Sequence, residues 1–144
     1  MENKPISYRW GKVKNSLPYV ANISLLVTKK DDLVENEIIF LPSSNLQNTY
    51  SDWCQGIENG LHYALSKVQS NYSIQISSFL GTDTDTNATI AGYTAMRCFW
   101  ESIGFVCDAT EIIELENFVF RSWGDNNCLI PNFFTHTFDI QQRI

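Results

Sequence analysis

The segment Thr82-Asp83-Thr84-Asp85-Thr86-Asn87 places oxygen-bearing side chains on alternate residues, a D-x-D-x-N spacing like the opening of a calcium-binding loop. Asp83, Asp85 and Asn87 are the residues that would hold a hard divalent cation there, with water completing the shell. The remainder of an EF-hand loop is missing. Its sixth position is Ala88 rather than glycine and its twelfth is Thr94 rather than glutamate, so neither the sharp turn nor the bidentate carboxylate is available. The structural reading is favoured: Asp83, Thr84 or Asp85 caps the helix that follows, with acidic groups at the positive end of its dipole.

Cys54, His62 and His136 suggest a second chemistry, in which an imidazole would activate a thiol as nucleophile. Spacing opposes it, because Cys54 and His62 lie about 12 Å apart along one helix at 1.5 Å per residue. His136 would have to arrive through tertiary folding. The four cysteines (Cys54, Cys98, Cys107, Cys128) include no C-x-x-C pair and the chain has two histidines, so a zinc site is not expected. Buried, reduced thiols are expected at Cys54 and Cys98, and no metal or cofactor is assigned. Aromatic residues are the third unusual set. Most must be core, but the C-terminal group Phe133, Phe134 and Phe138 is a candidate contact surface for a protein partner or a second copy of the chain.

These residues must be positioned by elements, and the clearest of them run from Tyr50 to Gly104. A helix is expected over Asp52 to Lys67, where Trp53, Ile57, Leu61, Ala64 and Leu65 recur at helical intervals. A strand follows over Tyr72 to Leu80, with Ile74, Ile76 and Leu80 alternating with Ser73, Gln75 and Ser77. A second helix is expected from Thr86 to Ile103, showing a narrow face of Ala88, Ala91, Ala95 and Phe99, and Gly104 stops it. Upstream lie three candidate strands, Ile6 to Lys14, Tyr19 to Lys29 and Glu37 to Leu41, most simply joined as an antiparallel meander. Thr49-x-x-Asp52 resembles a capping box and puts the first helix start near Ser51. Beyond Gly104 the apolar residues are mixed in period, with a turn at Gly124 to Asn127 and a further strand over Phe133 to Ile140.

The totals bound the class. A chain of 144 residues with 44% hydrophobic and 13% aromatic residues is read as one folded domain, residues 1–144. Its net charge of -6 opposes direct binding to nucleic acid. No apolar run approaches the length of a spanning helix and Met1 to Lys14 lacks the apolar centre of a secretory signal, so no membrane association and a cytoplasmic location are expected.

Three strands, a helix, a strand and a second helix is the order of the ribosomal protein S5 second-domain-like fold, and the sequence resembles the fourth domain of elongation factor G within it. The resemblance is carried by Trp53 to Leu65, by Tyr72 to Leu80 and by Ile90 to Glu101, with Gly56, Ile57 and Ala64 matching the first helix pattern and Ala91, Gly92 and Ala95 the closing one. It covers about Val20 to Gly104, within a core taken as residues 15–104, and leaves 105–144 as a C-terminal extension. It implies an α+β two-layer sandwich: a β-β-β-α-β-α core with both helices on one face of a mixed four-stranded sheet, a left-handed strand-helix-strand crossover, and an extension of strands or a short helix. The factor's work at the decoding centre is not implied. The family's histidine-bearing strand-to-helix loop is replaced by Gly81 to Thr86, and no P-loop pattern occurs. The expectation is a non-enzymatic acidic protein-binding module on a translation-factor-like scaffold, an inhibitor of a basic partner being one variant. The alternative is a small-ligand-binding protein or enzyme with a pocket between sheet and C-terminal tail, using Asp83, Asp85 or His136.

Overall fold

A computed structural model describes residues 4–30, 35–44, 51–126 and 129–139. The expected α+β sandwich is observed. Strands β1 (Ile6–Lys14), β2 (Leu17–Lys29), β3 (Glu37–Phe40) and β4 (Tyr72–Leu80) form one mixed sheet in the order β1-β2-β4-β3, with helices α1 (Ser51–Leu65) and α2 (Ala88–Ile103) on one face. After them come α3 (Ala109–Val119) and a small hairpin of β5 (Ile130–Asn132) and β6 (Thr137–Asp139), so the extension holds both a helix and strands. Thr49 and Cys128 lie outside the described residues, as does Ile140 at the end of the expected last strand.

The meander expectation fails at β3. β1 and β2 pair antiparallel through a two-residue turn, but β3 is parallel to β4, which lies between it and β2. The described residues at the end of β2 and before β3 both bond to the start of β4: Lys30 N donates to Asn71 O at 3.0 Å, and Tyr72 N donates to Asn36 Oδ1 at 2.8 Å. β4, with its core-facing Ile74, Ile76 and Phe79, takes the central place, whereas the four-residue β3 sits at an edge.

A second departure lies within β4. Its register against β2 slips between Ser24 and Leu25, so Ser77 is the extra residue of a β-bulge, its hydroxyl donating to Ser24 O at 3.0 Å. Past the bulge the alternation inverts. Phe79 turns inward against Trp53 of α1 (ring centroids 5.5 Å apart), and Leu80, expected on the apolar face, is exposed.

The helices approach backbone to backbone. Gly56 and Gly60 fall on one ridge of α1, and a Cβ on either would overlap the carbonyl of Ala88 or Gly92 on α2. Ala88, Ala91, Ala95 and Phe99 are fully buried as expected, but α2 is covered nearly all round and not only on that face. The extension completes the cover: Phe133 lies against the bare side of Gly92, and α3 joins α2 through Glu116. Gly104 ends α2 in the left-handed region, φ 71°.

Candidate functional site

The loop 81–87 folds on itself and onto β2. Thr86 N donates to Thr82 O (2.8 Å), Thr86 Oγ1 donates to Val20 O (2.5 Å) and Val20 N donates to Asp85 O (2.8 Å). Asp83 is exposed and Asp85 half-buried. The cap of α2 is neither of these, nor Thr84. Asn87 is the cap: its Oδ1 accepts from Ile90 N at 2.9 Å, while Nδ2 donates to Ser122 Oγ at 3.0 Å and Ser122 O at 3.3 Å. A buried asparagine serves both ends of its amide here, which an aspartate could not do. Asn87 therefore points its polar atoms into the protein and not toward Asp83 and Asp85. Among the described residues no group of three or more His, Cys, Asp or Glu side chains could hold a metal ion. Asp85 instead borders an open groove of about 270 Å³ with Val20, Asn22, Leu80, Thr82 and Thr86.

The aromatic trio separates by burial. Phe133 is 1% exposed and packs edge-on to Phe118, and Phe138 is half-buried and stacked on the same ring at 4.6 Å. Phe134 alone faces solvent, 61% exposed, with its edge on Tyr63 of α1. It also lines a cleft of about 140 Å³ between α1 and the β5–β6 hairpin, together with Asn59, His62, Asn132, Phe133 and Asp139. His136 is not part of that lining. Its ring stacks on Phe118 and its carbonyl accepts from Arg121.

The thiols are held in their protonated form. Burial, with Glu58 and Asp52 adding to it, pushes Cys54 up to about 11, and burial pushes Cys98 up to about 12. Neither is suited to nucleophilic attack at neutral pH.

Two polar clusters escaped the sequence reading. At the first, Glu111 of α3 receives Tyr63 OH and Lys67 Nζ at Oε1, each at 2.7 Å, and the Cys107 thiol at Oε2, at 2.8 Å. Partial burial alone would raise Glu111, but the thiol, the ammonium and the hydroxyl outweigh it and bring the carboxyl down to about 2. Burial and the same carboxylate push Cys107 up to about 12. At the second, Arg97 donates to Tyr93 OH (2.7 Å), which donates to Glu116 Oε2 (2.8 Å), and the guanidinium lies 3.5 Å from that carboxylate. Burial first, and the carboxylate with it, drive Tyr93 far above its ordinary range. The available signal was Asp108-x-x-Glu111, a helix-start pattern, since Asp108 caps α3 by accepting from Glu111 N. The partners on α1 and α2 are tertiary neighbours. Both clusters bind helix to helix.

No family model matches the sequence, and no curated protein matches it. The fold is similar to that of a crystallised protein from Thermus thermophilus, at 12% identity and a TM-score of 0.54 over 70% of this chain. The chain spans 16% of that protein's length. A second similarity, to the mevalonate kinase of Methanococcus jannaschii, has 10% identity and a TM-score of 0.47, covering 99% of this chain and 56% of the kinase.

Proposed function

We propose that this chain is a non-enzymatic protein-binding module, an acidic domain on a translation-factor-like scaffold of the S5 second-domain-like kind, and that its contact surface is the open face of its sheet. The observation that carries the reading is that α1 and α2 cover one face only. Because Tyr19, Ala21, Ile23 and Leu25 of β2 point into the core, Asn22, Ser24, Leu26 and Thr28 point away, joined by Gln75 of β4 and Ile39 of β3. Such a level mixture of amides, hydroxyls and aliphatic groups suits a protein contact. The placement of both helices on one side of a four-stranded sheet supports the scaffold. Meanwhile the groups best equipped for chemistry, Glu111, Glu116 and the thiols, are engaged with neighbouring side chains or held protonated.

Affinity capture from the native cell tests the reading. The tagged chain should retain one stoichiometric protein companion. A Leu26→Arg, Ile39→Arg double variant should lose it while keeping its urea-unfolding midpoint. Retention by the variant, or no companion at all, would count against this surface. The rival, small-ligand reading rests on the cleft with His62, Phe134 and Asp139, and requires a ligand that shifts the His62 ring resonances.

A further inference from the structure

Charge is divided unevenly along the chain: residues 4–30 hold Lys4, Arg9, Lys12, Lys14, Lys29 and Lys30 and no acidic residue, although the whole chain carries 16 acidic against 10 basic side chains. The β1–β2 hairpin is thus a cationic element in an anionic protein. Its outer strand, β1, is nine residues long and forms one border of the sheet. Among the described residues, Arg9, Lys12 and Lys14 make no ion pair; Lys14 lies over the Phe120 ring at 4.9 Å and Arg9 lies along the strand over Gly11.

The ladder decides which backbone groups of β1 are free. Asn15 and Ser16 both have positive φ (54° and 66°), the conformation of a two-residue turn whose flanking pair, Lys14 and Leu17, is hydrogen-bonded. Counting back in twos, Lys12, Trp10, Tyr8 and Ile6 face β2, and the N–H and C=O groups of Ser7, Arg9, Gly11 and Val13 face outward. All four residues are exposed, Val13 by 76%. The strand has no proline and no bulge within it, so it is a continuous template for pairing.

Resting on the protein-binding reading, we infer that β1 accepts an extended acidic peptide segment of the partner as a fifth, antiparallel strand. A second copy of the chain is disfavoured as the occupant, because β1 beside β1 would set Arg9, Lys12 and Lys14 of one copy near those of the other. A nucleic acid could use the cations and single N–H groups, through its phosphates, but could not match the alternating row of N–H and C=O groups. An extended peptide with Glu on both of its faces uses both, pairing main chain to main chain while carboxylates on one face meet Arg9 and those on the other meet Lys12 and Lys14.

The test uses the full chain and a labelled peptide of about eight residues, the length of a long edge strand, in which Thr and Val alternate with Glu-Glu pairs so that both faces of the strand carry Glu. Binding is expected by fluorescence anisotropy, with amide exchange at Ser7, Arg9, Gly11 and Val13 slowed by about tenfold or more while Tyr8, Trp10 and Lys12 stay as they were. An Arg9→Glu, Lys12→Glu variant should bind about tenfold or more weakly, and a peptide N-methylated at alternate amides should not bind. Equal binding of the N-methylated peptide or of a single-stranded oligonucleotide would reduce the site to simple polyanion attraction and overturn the inference. So would no binding at about 1 mM peptide. Because the open-face variants test the protein-binding reading separately, peptide failure with partner capture intact would remove the edge inference alone.

Discussion

At the scale of single residues, the side chains with the most chemical potential are held by one another. Glu111 collects three donors from α1, from the segment after it and from the loop before α3, and replacing it by glutamine should cost about 1–2 kcal/mol in urea unfolding near neutral pH. The pH dependence follows from the direction of its shift. Because the folded carboxyl lies at about 2 rather than 4.5, its contribution is complete above about 4.5 and is lost as pH falls toward 2, so wild type should lose more stability than Glu111→Gln across that interval. The thiols give a second prediction. With Cys54 raised to about 11 and Cys98 and Cys107 to about 12, iodoacetamide at pH 8 should modify all three at least about tenfold more slowly in the native protein than in urea, as read by peptide mass spectrometry. Rapid native labelling of Cys54 would revive the thiol chemistry that its spacing from His62 argued against.

At the scale of elements, the closeness of α1 and α2 governs. Alanine is the better helix former by about 1 kcal/mol, so an exposed Gly60 would be improved by substitution. Here a Cβ would collide with the Gly92 carbonyl, and Gly60→Ala should instead destabilise by about 1–3 kcal/mol in chemical denaturation, because the helix axes must separate. The start of α2 supplies a contrast. Asn87→Ala removes the cap and leaves the Ser122 groups short of a donor, a loss of about 2 kcal/mol, whereas Asp83→Ala at the exposed loop should lie within about 0.5 kcal/mol of wild type. If the two substitutions had similar effects, the assignment of the cap to Asn87 would be wrong.

At the scale of the whole molecule, β4 and α2 form the centre. β4 is paired on both sides, and α2 is enclosed by the sheet, α1 and the C-terminal extension. Their amides should exchange only by global opening, while the three-residue strands of the β5–β6 hairpin exchange through local opening at lower free energy. Hydrogen exchange resolved by residue checks that ranking. Equal protection in the small hairpin would mean that the extension unfolds together with the core. No helix among the described residues is long and apolar enough to cross a membrane.

The elements were legible because each is specified by local periodicity. Trp53, Ile57, Leu61, Ala64 and Leu65 are all buried on α1, the bounds of β1 and β4 are those expected, and Gly104 ends α2 as its type suggested. Asn87, one of the three residues proposed for the loop, proved to be the helix cap through a local bond to Ile90 N, whereas the partner of its other amide atom, Ser122, is remote in sequence and its position is settled only by folding. The order of β3 and β4, the bulge at Ser77, the burial of Phe133 beside an exposed Phe134, and the Glu111 and Glu116 clusters share that origin. A sequence states which face of an element is apolar, because that depends on neighbours within one or two turns. Which element meets that face is decided by packing across the whole chain, and here packing placed polar side chains from α1, α2 and α3 within hydrogen-bond reach where spacing alone gave no hint.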